Sequence, residues 1–297
     1  MCTAINDTTN FHLFGRTLDL DSSLGESVAI SPRKFKFSFM YQGENSDHYA
    51  IVGAAHITDG NPLYYDGMNE AGLCIAALRF PELTVYHDKV DGKINLASFE
   101  LIPWILCNFD SAKAAARALR DVNITPDSYS EKLPATSIHW LLADKKDAYV
   151  IESREDGLKI YDNPHGVLTN APDFPTQCFV LDKFGDPVLG DMSSSARFIR
   201  SVNARRHTLP TKEKVPSVSR LFHIFSTVNQ PHGLFRADEK QLRTVYTACM
   251  DTEDMTYYFT TYECRKIHAV RVDKEYLGLD SVISFPMLHT ESIEYLN

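Results

Sequence analysis

Long apolar runs are missing from this chain of 297 residues; the most continuous patch, LIPWILC at 101–107, falls far short of the roughly 20 residues that a membrane-spanning helix needs. No membrane insertion is expected. Glycine and proline are scarce, 14 of each, which excludes a collagen-like, linker-dominated or largely disordered chain. Positive charge is the minority sign, with 30 Lys and Arg against 39 Asp and Glu; a net charge of -9 repels a phosphate backbone and sets nucleic acid aside as a partner. Cysteines number only six, at 2, 74, 107, 178, 249 and 264, with no CxxC pair. They are too sparse for a disulfide framework, so a reducing, cytoplasmic setting is expected. The opening MCTAINDTTN has neither a basic nor an apolar leader region, which places the expected mature start close to residue 1. GxSxG, GxGxxG, Walker and HExxH motifs are absent as well, removing the motif-based cases for serine hydrolase, dinucleotide, nucleotide and zinc-protease chemistry.

What the chain does contain is alternation of period two. SIHWLLAD, a polar Lys145–Lys146 turn and AYVIES read as a hairpin, with LKIYDN and GVLTN as further strands. MTYYFTTYE and KIHAVRVD form a second hairpin candidate, rich in aromatic and β-branched side chains. CTAIN, HLFGRT, SVAIS and KFKFSF continue the pattern at the N-terminal end. Helical spacing interrupts it in ASFELIPWILCNF, in SAKAAR with Asp110 or Ser111 as cap, in ARFIRSVNARRHTL and in VSRLFHIFSTV. Residues 183–195 read as an irregular surface segment. Strand groups alternating with helices and no long linker predict one layered α+β domain over 1–297.

Cys2 is the residue with distinctive chemistry. Once Met1 is removed it carries a thiol and a free α-amine, and an amine with a pKa of about 8 can act as general base for its own nucleophile. On position alone it reads even more readily as an early edge-strand cysteine. Arg16 and Asp19 add weight, because pairing of CTAIN with HLFGRTLDL would bring both to the Cys2 end, where Arg16 lowers the thiol pKa and Asp19 holds the amine. Gly15 would permit a close backbone approach there. A solvated Arg and Asp at a strand end is the alternative. His87, His139 and His268 lie in or beside strand patterns and read as structural.

Five segments in order, MCTAIN, FGRTLDL at 14–20, YDGMNEAGL at 65–73, GVLTNAP at 166–172 and SSSARFIR at 193–200, resemble the choloylglycine hydrolase family of bile salt hydrolases and penicillin V acylases. The resemblance spans essentially the whole chain. It implies an N-terminal nucleophile hydrolase, a four-layer αββα sandwich of two antiparallel sheets between helices, with no metal or organic cofactor. The implied catalytic set is Cys2, Arg16, Asp19, Asn170 and Arg197. In that set Asn170 donates to the oxyanion, Asp19 anchors the amine and Arg197 orders the pocket. The implied substrate is a small-molecule amide with a large apolar acyl group, and Ile57, Leu63, Tyr64 and Leu133 are the expected pocket walls. Cleavage of glycine- or taurine-conjugated bile salts is the leading activity. Penicillin V or N-acyl homoserine lactone acylase activity is one alternative, and an inactive or weakly active apolar-ligand binder is another.

Two features depart from the family pattern. Arg79 stands where bile salt hydrolases carry asparagine and penicillin V acylases often carry tyrosine; it is a candidate for oxyanion or substrate contact. The interval from Asn170 to Arg197 is also short, lacking most of a segment that helps relatives assemble. A homo-oligomer is expected, as a dimer or weakened tetramer.

Overall fold

The computed structural model describes residues 1–185, 191–237, 240–291 and 293–297. The chain begins with β1 (Cys2–Asp7), β2 (Leu13–Leu20), β3 (Ser27–Ser31), β4 (Phe37–Phe39), β5 (Gly43–Asn45), β6 (Ile51–Thr58), β7 (Asn61–Tyr64), β8 (Asp66–Asn69), β9 (Cys74–Arg79) and β10 (Ile94–Ala97). Helices α1 (Leu101–Asn108) and α2 (Ala112–Ala118) follow, then β11 (Val122–Thr125), β12 (Ile138–Ala143), β13 (Ala148–Arg154), β14 (Gly157–Asp162) and β15 (Val167–Leu168). The last part holds α3 (Phe174–Phe184), α4 (Ser194–His207), α5 (Lys214–Ser226), β16 (Phe235–Ala237), β17 (Lys240–Asp251), β18 (Thr256–Thr261), β19 (His268–Arg271) and β20 (Ile283–Pro286).

These strands build two main antiparallel sheets. The first runs β15-β1-β2-β17-β18-β19, with β16 beside β17; the second runs β14-β13-β12-β9-β8-β6-β3-β20, with β7 beside β6. Their inner faces share one core that includes Ala4, Phe14, Val52, Met68, Leu78 and Leu141. Helices α3, α4 and α5 cover the first sheet through Leu181, Phe198, Val202, Leu221 and Phe225. Helices α1 and α2 cover the second, where Leu101, Ile105, Ala112 and Ala115 pack under Ile75 and Trp140. Each fully buried Leu or Ile contributes about 1.5–3 kcal/mol, and the spacing of Leu101, Trp104, Ile105 and Ile102 keeps one broad helical face on the sheet. The architecture is the four-layer α+β sandwich.

Both predicted hairpins form, as β12–β13 and β18–β19. In the first, the Asp144 carboxylate accepts the turn amides of Lys146 at 2.6 Å and Asp147 at 2.8 Å. It also accepts the Ala112 amide at 2.8 Å. The start of α2 is therefore satisfied by the hairpin turn: Ser111 occupies the cap position without a side-chain bond, and Asp110 is not the cap. GVLTN shrinks to Val167–Leu168 and pairs with β1 in the opposite sheet instead of continuing beside β14. Lys183 and Phe184 close α3 and Ser193 caps α4, so 183–195 is irregular over a shorter span, and its positions 186–190 lie outside the described residues. Helix α3 and strands β6 to β9 carry weak sequence signals. IVGAAHIT in β6 is buried along most of its length and so shows little polar alternation.

Candidate active site

The β1–β2 register builds the site. Cys2 lies opposite Leu18 and Ala4 opposite Arg16, so Cys2, Arg16 and Leu18 share the face turned toward the second sheet, and Asp19 falls on the reverse face. Gly15 makes this packing possible, because a Cβ there would sit 2.4 Å from the Ala248 carbonyl and 2.7 Å from the Phe225 ring. Arg16 Nη2 donates to Cys2 Sγ at 2.9 Å, and its Nη1 and Nε bind the carbonyls of Tyr65 and Thr17 at 3.3 Å each. Burial alone would raise the Cys2 thiol; Arg16 and then the N-terminal ammonium more than offset it, and the thiol lies below its ordinary value. The other five thiols lack this environment, and burial pushes Cys74, Cys107, Cys178 and Cys249 upward.

Arg197 reaches the same point from α4. Its Nη1 donates to the Cys2 carbonyl at 2.5 Å and to Thr3 Oγ1 at 2.7 Å, and its Nη2 donates to Asn170 Oδ1 at 2.7 Å. Asn170 Oδ1 also accepts the Cys2 nitrogen at 2.8 Å. The Asn170 carboxamide is thus an acceptor for the nucleophile's own nitrogen. Of its two N–H groups one is committed to the Arg79 carbonyl at 2.7 Å.

Asp19 stands beside the N-terminal amine. Pointing to the reverse face, its carboxylate accepts Thr244 Oγ1 at 2.7 Å and Gln230 Nε2 at 3.3 Å. Its backbone carbonyl takes the Met1 ammonium at 2.6 Å, continuing the antiparallel ladder by one residue. Burial holds the Asp19 carboxyl above its usual value, with the N-terminal ammonium and Arg197 acting in the opposite direction.

Cys2 forms the floor of a cavity of about 300 Å³. Leu63, Tyr64 and Leu133 line it as expected, and Arg79 lines it from the end of β9. Ile57 does not: its partner in β6, His56, takes the cavity face, and the period of two turns Ile57 into the core beneath α1. Leu18, Leu20, Leu24, Phe99, Ile102 and Tyr129 also line the cavity and were missed, because the strands and loops that carry them meet only in the folded chain. The spacing of Leu18 and Leu20 on the nucleophile's neighbouring strand was the one available signal. His139 bonds the Thr169 carbonyl at 2.7 Å, His87 bonds the Arg154 carbonyl at 2.9 Å and His268 stacks on Phe259; none of the three lines the cavity. Among the described residues, no group of three or more His, Cys, Asp or Glu is placed to hold a metal ion.

The family model for linear amide C–N hydrolases, the choloylglycine hydrolase family, matches residues 2–188 and 184–285. The chain belongs to the choloylglycine hydrolase family. It is 38% identical to the bile salt hydrolase/transferase of Lactiplantibacillus plantarum, covering 97% of both chains. It is 32% identical to the bile salt hydrolase/transferase of Clostridium perfringens over the full length of both. The crystal structure of the mutant C2A conjugated bile acid hydrolase from Clostridium perfringens superposes with a TM-score of 0.91 at 30% identity, covering all of both chains. The structure of penicillin V acylase from Agrobacterium tumefaciens shares the fold, with a TM-score of 0.79 at 21% identity over 96% of this chain and 90% of that one. As a member of this family, the protein is a cysteine-dependent amidase for linear amide C–N bonds.

Proposed function

We propose that the protein hydrolyses the amide bond of glycine- or taurine-conjugated bile salts. The observation that carries this reading is the Cys2 sulfur, held by Arg16 at the floor of a mainly apolar cavity of about 300 Å³. An acyl group built of fused aliphatic rings matches Leu18, Leu20, Leu63, Phe99, Ile102 and Leu133, and the activities named for the full-length relatives support it.

In the reaction, removal of Met1 frees the Cys2 amine where Asn170 Oδ1 already orients its nitrogen. The thiolate attacks the amide carbonyl carbon, and the second Asn170 N–H stabilises the oxyanion; one such donor is worth about 3 kcal/mol in the transition state. The Cys2 ammonium gives its proton to the leaving nitrogen, the C–N bond breaks and a thioester remains. The amine, now neutral, takes a proton from water, which attacks the thioester and releases the free acid. Arg197 holds the Cys2 carbonyl and Asn170 in register throughout, and Asp19 fixes the strand edge beside the amine. Arg79, at the cavity wall, supplies a cation for the carboxylate or sulfonate of the departing amino acid.

A panel of conjugated bile salts, penicillin V and acyl homoserine lactones, assayed by product release on wild type and Cys2→Ala, tests the reading. Bile salt turnover that vanishes in the variant is the expected result. Penicillin V turnover above every bile salt moves the acyl preference; no turnover of any substrate by the Met1-free protein favours a ligand-binding role. The short interval of 27 positions between Asn170 and Arg197 supports a dimer or weakened tetramer of one 1–297 unit, which light scattering measures. Six free thiols fit a cytoplasmic setting, and no helix among the described residues is long and apolar enough to cross a membrane.

A further inference from the structure

Arg16 is held from behind by the opposite sheet. Asp66 projects from β8 into the space between the sheets, fully buried, with Oδ2 at 3.7 Å from Arg16 Nη1. Oδ2 accepts the Tyr246 hydroxyl of β17 at 2.5 Å, and Oδ1 accepts the Tyr257 hydroxyl of β18 at 2.8 Å and the Ala54 amide of β6 at 3.3 Å. The Tyr246 ring also lies 5.8 Å from the Arg16 guanidinium. A β-bulge between Thr244 and Tyr246 makes this arrangement possible. Thr244 pairs with Asp19 and Tyr246 with Leu18, so two residues of one strand that would otherwise share a face point to opposite faces. Thr244 serves Asp19 on one side and Tyr246 serves Asp66 on the other.

A buried carboxylate that serves no purpose is costly, and two hydroxyls, an amide and a guanidinium converge on this one. We propose that Asp66, with Tyr246 and Tyr257, is the positioning group for Arg16, fixing the guanidinium so that Nη2 stays on the Cys2 sulfur as the thiolate forms. The inference rests on Cys2 as nucleophile and is independent of the acyl group. The opposing possibility is a simple counter-charge. In that case loss of Asp66 leaves the Cys2 thiolate as the main anion beside Arg16 and favours it, whereas loss of a positioning group lets Arg16 drift and disfavours it. The two readings differ in sign.

The charged and titratable groups that act on Cys2 are Arg16 on β2, the N-terminal amine and Arg197 on α4, with Asp19 of β2 acting from the reverse face of the strand. Those facing Asp66 are Arg16, Tyr246 and Tyr257 from the first sheet, with Tyr65 and Cys74 on its own sheet. Burial holds the Asp66 carboxyl above its usual value, and Arg16 and the two tyrosines oppose that shift.

The experiment measures iodoacetamide alkylation of Cys2 against pH, located by peptide mass spectrometry, in Met1-free wild type, Asp66→Asn and Tyr257→Phe. Steady-state kinetics on a conjugated bile salt run alongside. Asp66→Asn should raise the alkylation midpoint by about one pH unit and lower kcat by about tenfold or more, with KM little changed. Tyr257→Phe should move both in the same direction by less. A midpoint that falls or stays put in folded Asp66→Asn overturns the proposal. If that variant does not fold, an unchanged midpoint and kcat in Tyr257→Phe overturns it. Failure of the bile salt reading would show instead as an inactive wild type whose alkylation profile is intact.

Discussion

The two ends of the β1–β2 ladder both bury charge and use it differently. At the hairpin end, Asp7 pairs with Arg220 from α5 and accepts the Thr9 amide and hydroxyl. His12 there is clamped between Asn6 Oδ1 and Thr252 Oγ1, at 2.9 Å each. At the open end, Arg16 donates to the Cys2 sulfur and Arg197 donates to the Cys2 carbonyl, and Cys2 itself borders a cavity. In the first case the charges answer one another and pin helix to sheet. In the second they converge on one residue, whose sulfur reacts. Burial of charge is therefore not what distinguishes the site; it is a titratable nucleophile among the partners and a cavity above it.

The comparison breaks first at Arg220. Arg220→Met leaves Asp7 buried without its partner and should cost about 3–5 kcal/mol of stability by denaturant unfolding, while kcat of the folded protein is unchanged. A large loss of kcat would mean that the hairpin end also serves catalysis. Acid stability tests the same end. Burial pushes the pKa of His12 down to about 4, so below its usual value near 6.5 the unfolded chain takes up a proton that the native state refuses. Stability is present above pH 6.5 and should fall as pH drops toward 4, by about 3 kcal/mol in all. His12→Gln should flatten that slope in unfolding measured at successive pH values.

At the other end, Arg16→Met should lower kcat by about hundredfold and shift Cys2 alkylation toward alkaline pH. Retained kcat there would erase the distinction between the two ends. The smallest effect separates the cavity wall from the core. Leu63→Ala should raise KM for a bile salt by about tenfold with little change in kcat, whereas Ile57→Ala should lower thermal stability and leave KM alone. Equal KM changes would place Ile57 in the cavity after all.

The N-terminal motif made much of the group around Cys2 legible in advance. Cys2, Arg16 and the register that joins them follow from two short alternating segments close in sequence, and the segments at 166–172 and 193–200 pointed to Asn170 and Arg197. The cavity was less legible. Leu63, Tyr64 and Leu133 were readable as loop hydrophobes, but Ile57 and His56 exchange places by strand parity, which an irregular apolar pattern does not reveal. Ser111 was legible as the cap position of α2, but the carboxylate that satisfies the helix's first amide was not, since Asp144 lies 32 positions away.

By itself, the sequence determined the α+β class and the closeness of Cys2, Arg16 and Asp19 at one strand end, because alternation and strand pairing act over a few residues; the reading of Cys2 as nucleophile came from the ordered motifs that resemble the family. Only the tertiary structure decided that Asp19 faces away from the sulfur, that Asn170 accepts the Cys2 nitrogen, and that Asp66 stands behind Arg16 with hydroxyls from 180 and 191 positions further along. Those contacts depend on the packing of one sheet against another and on a single bulge, and neither leaves a periodic trace in the chain.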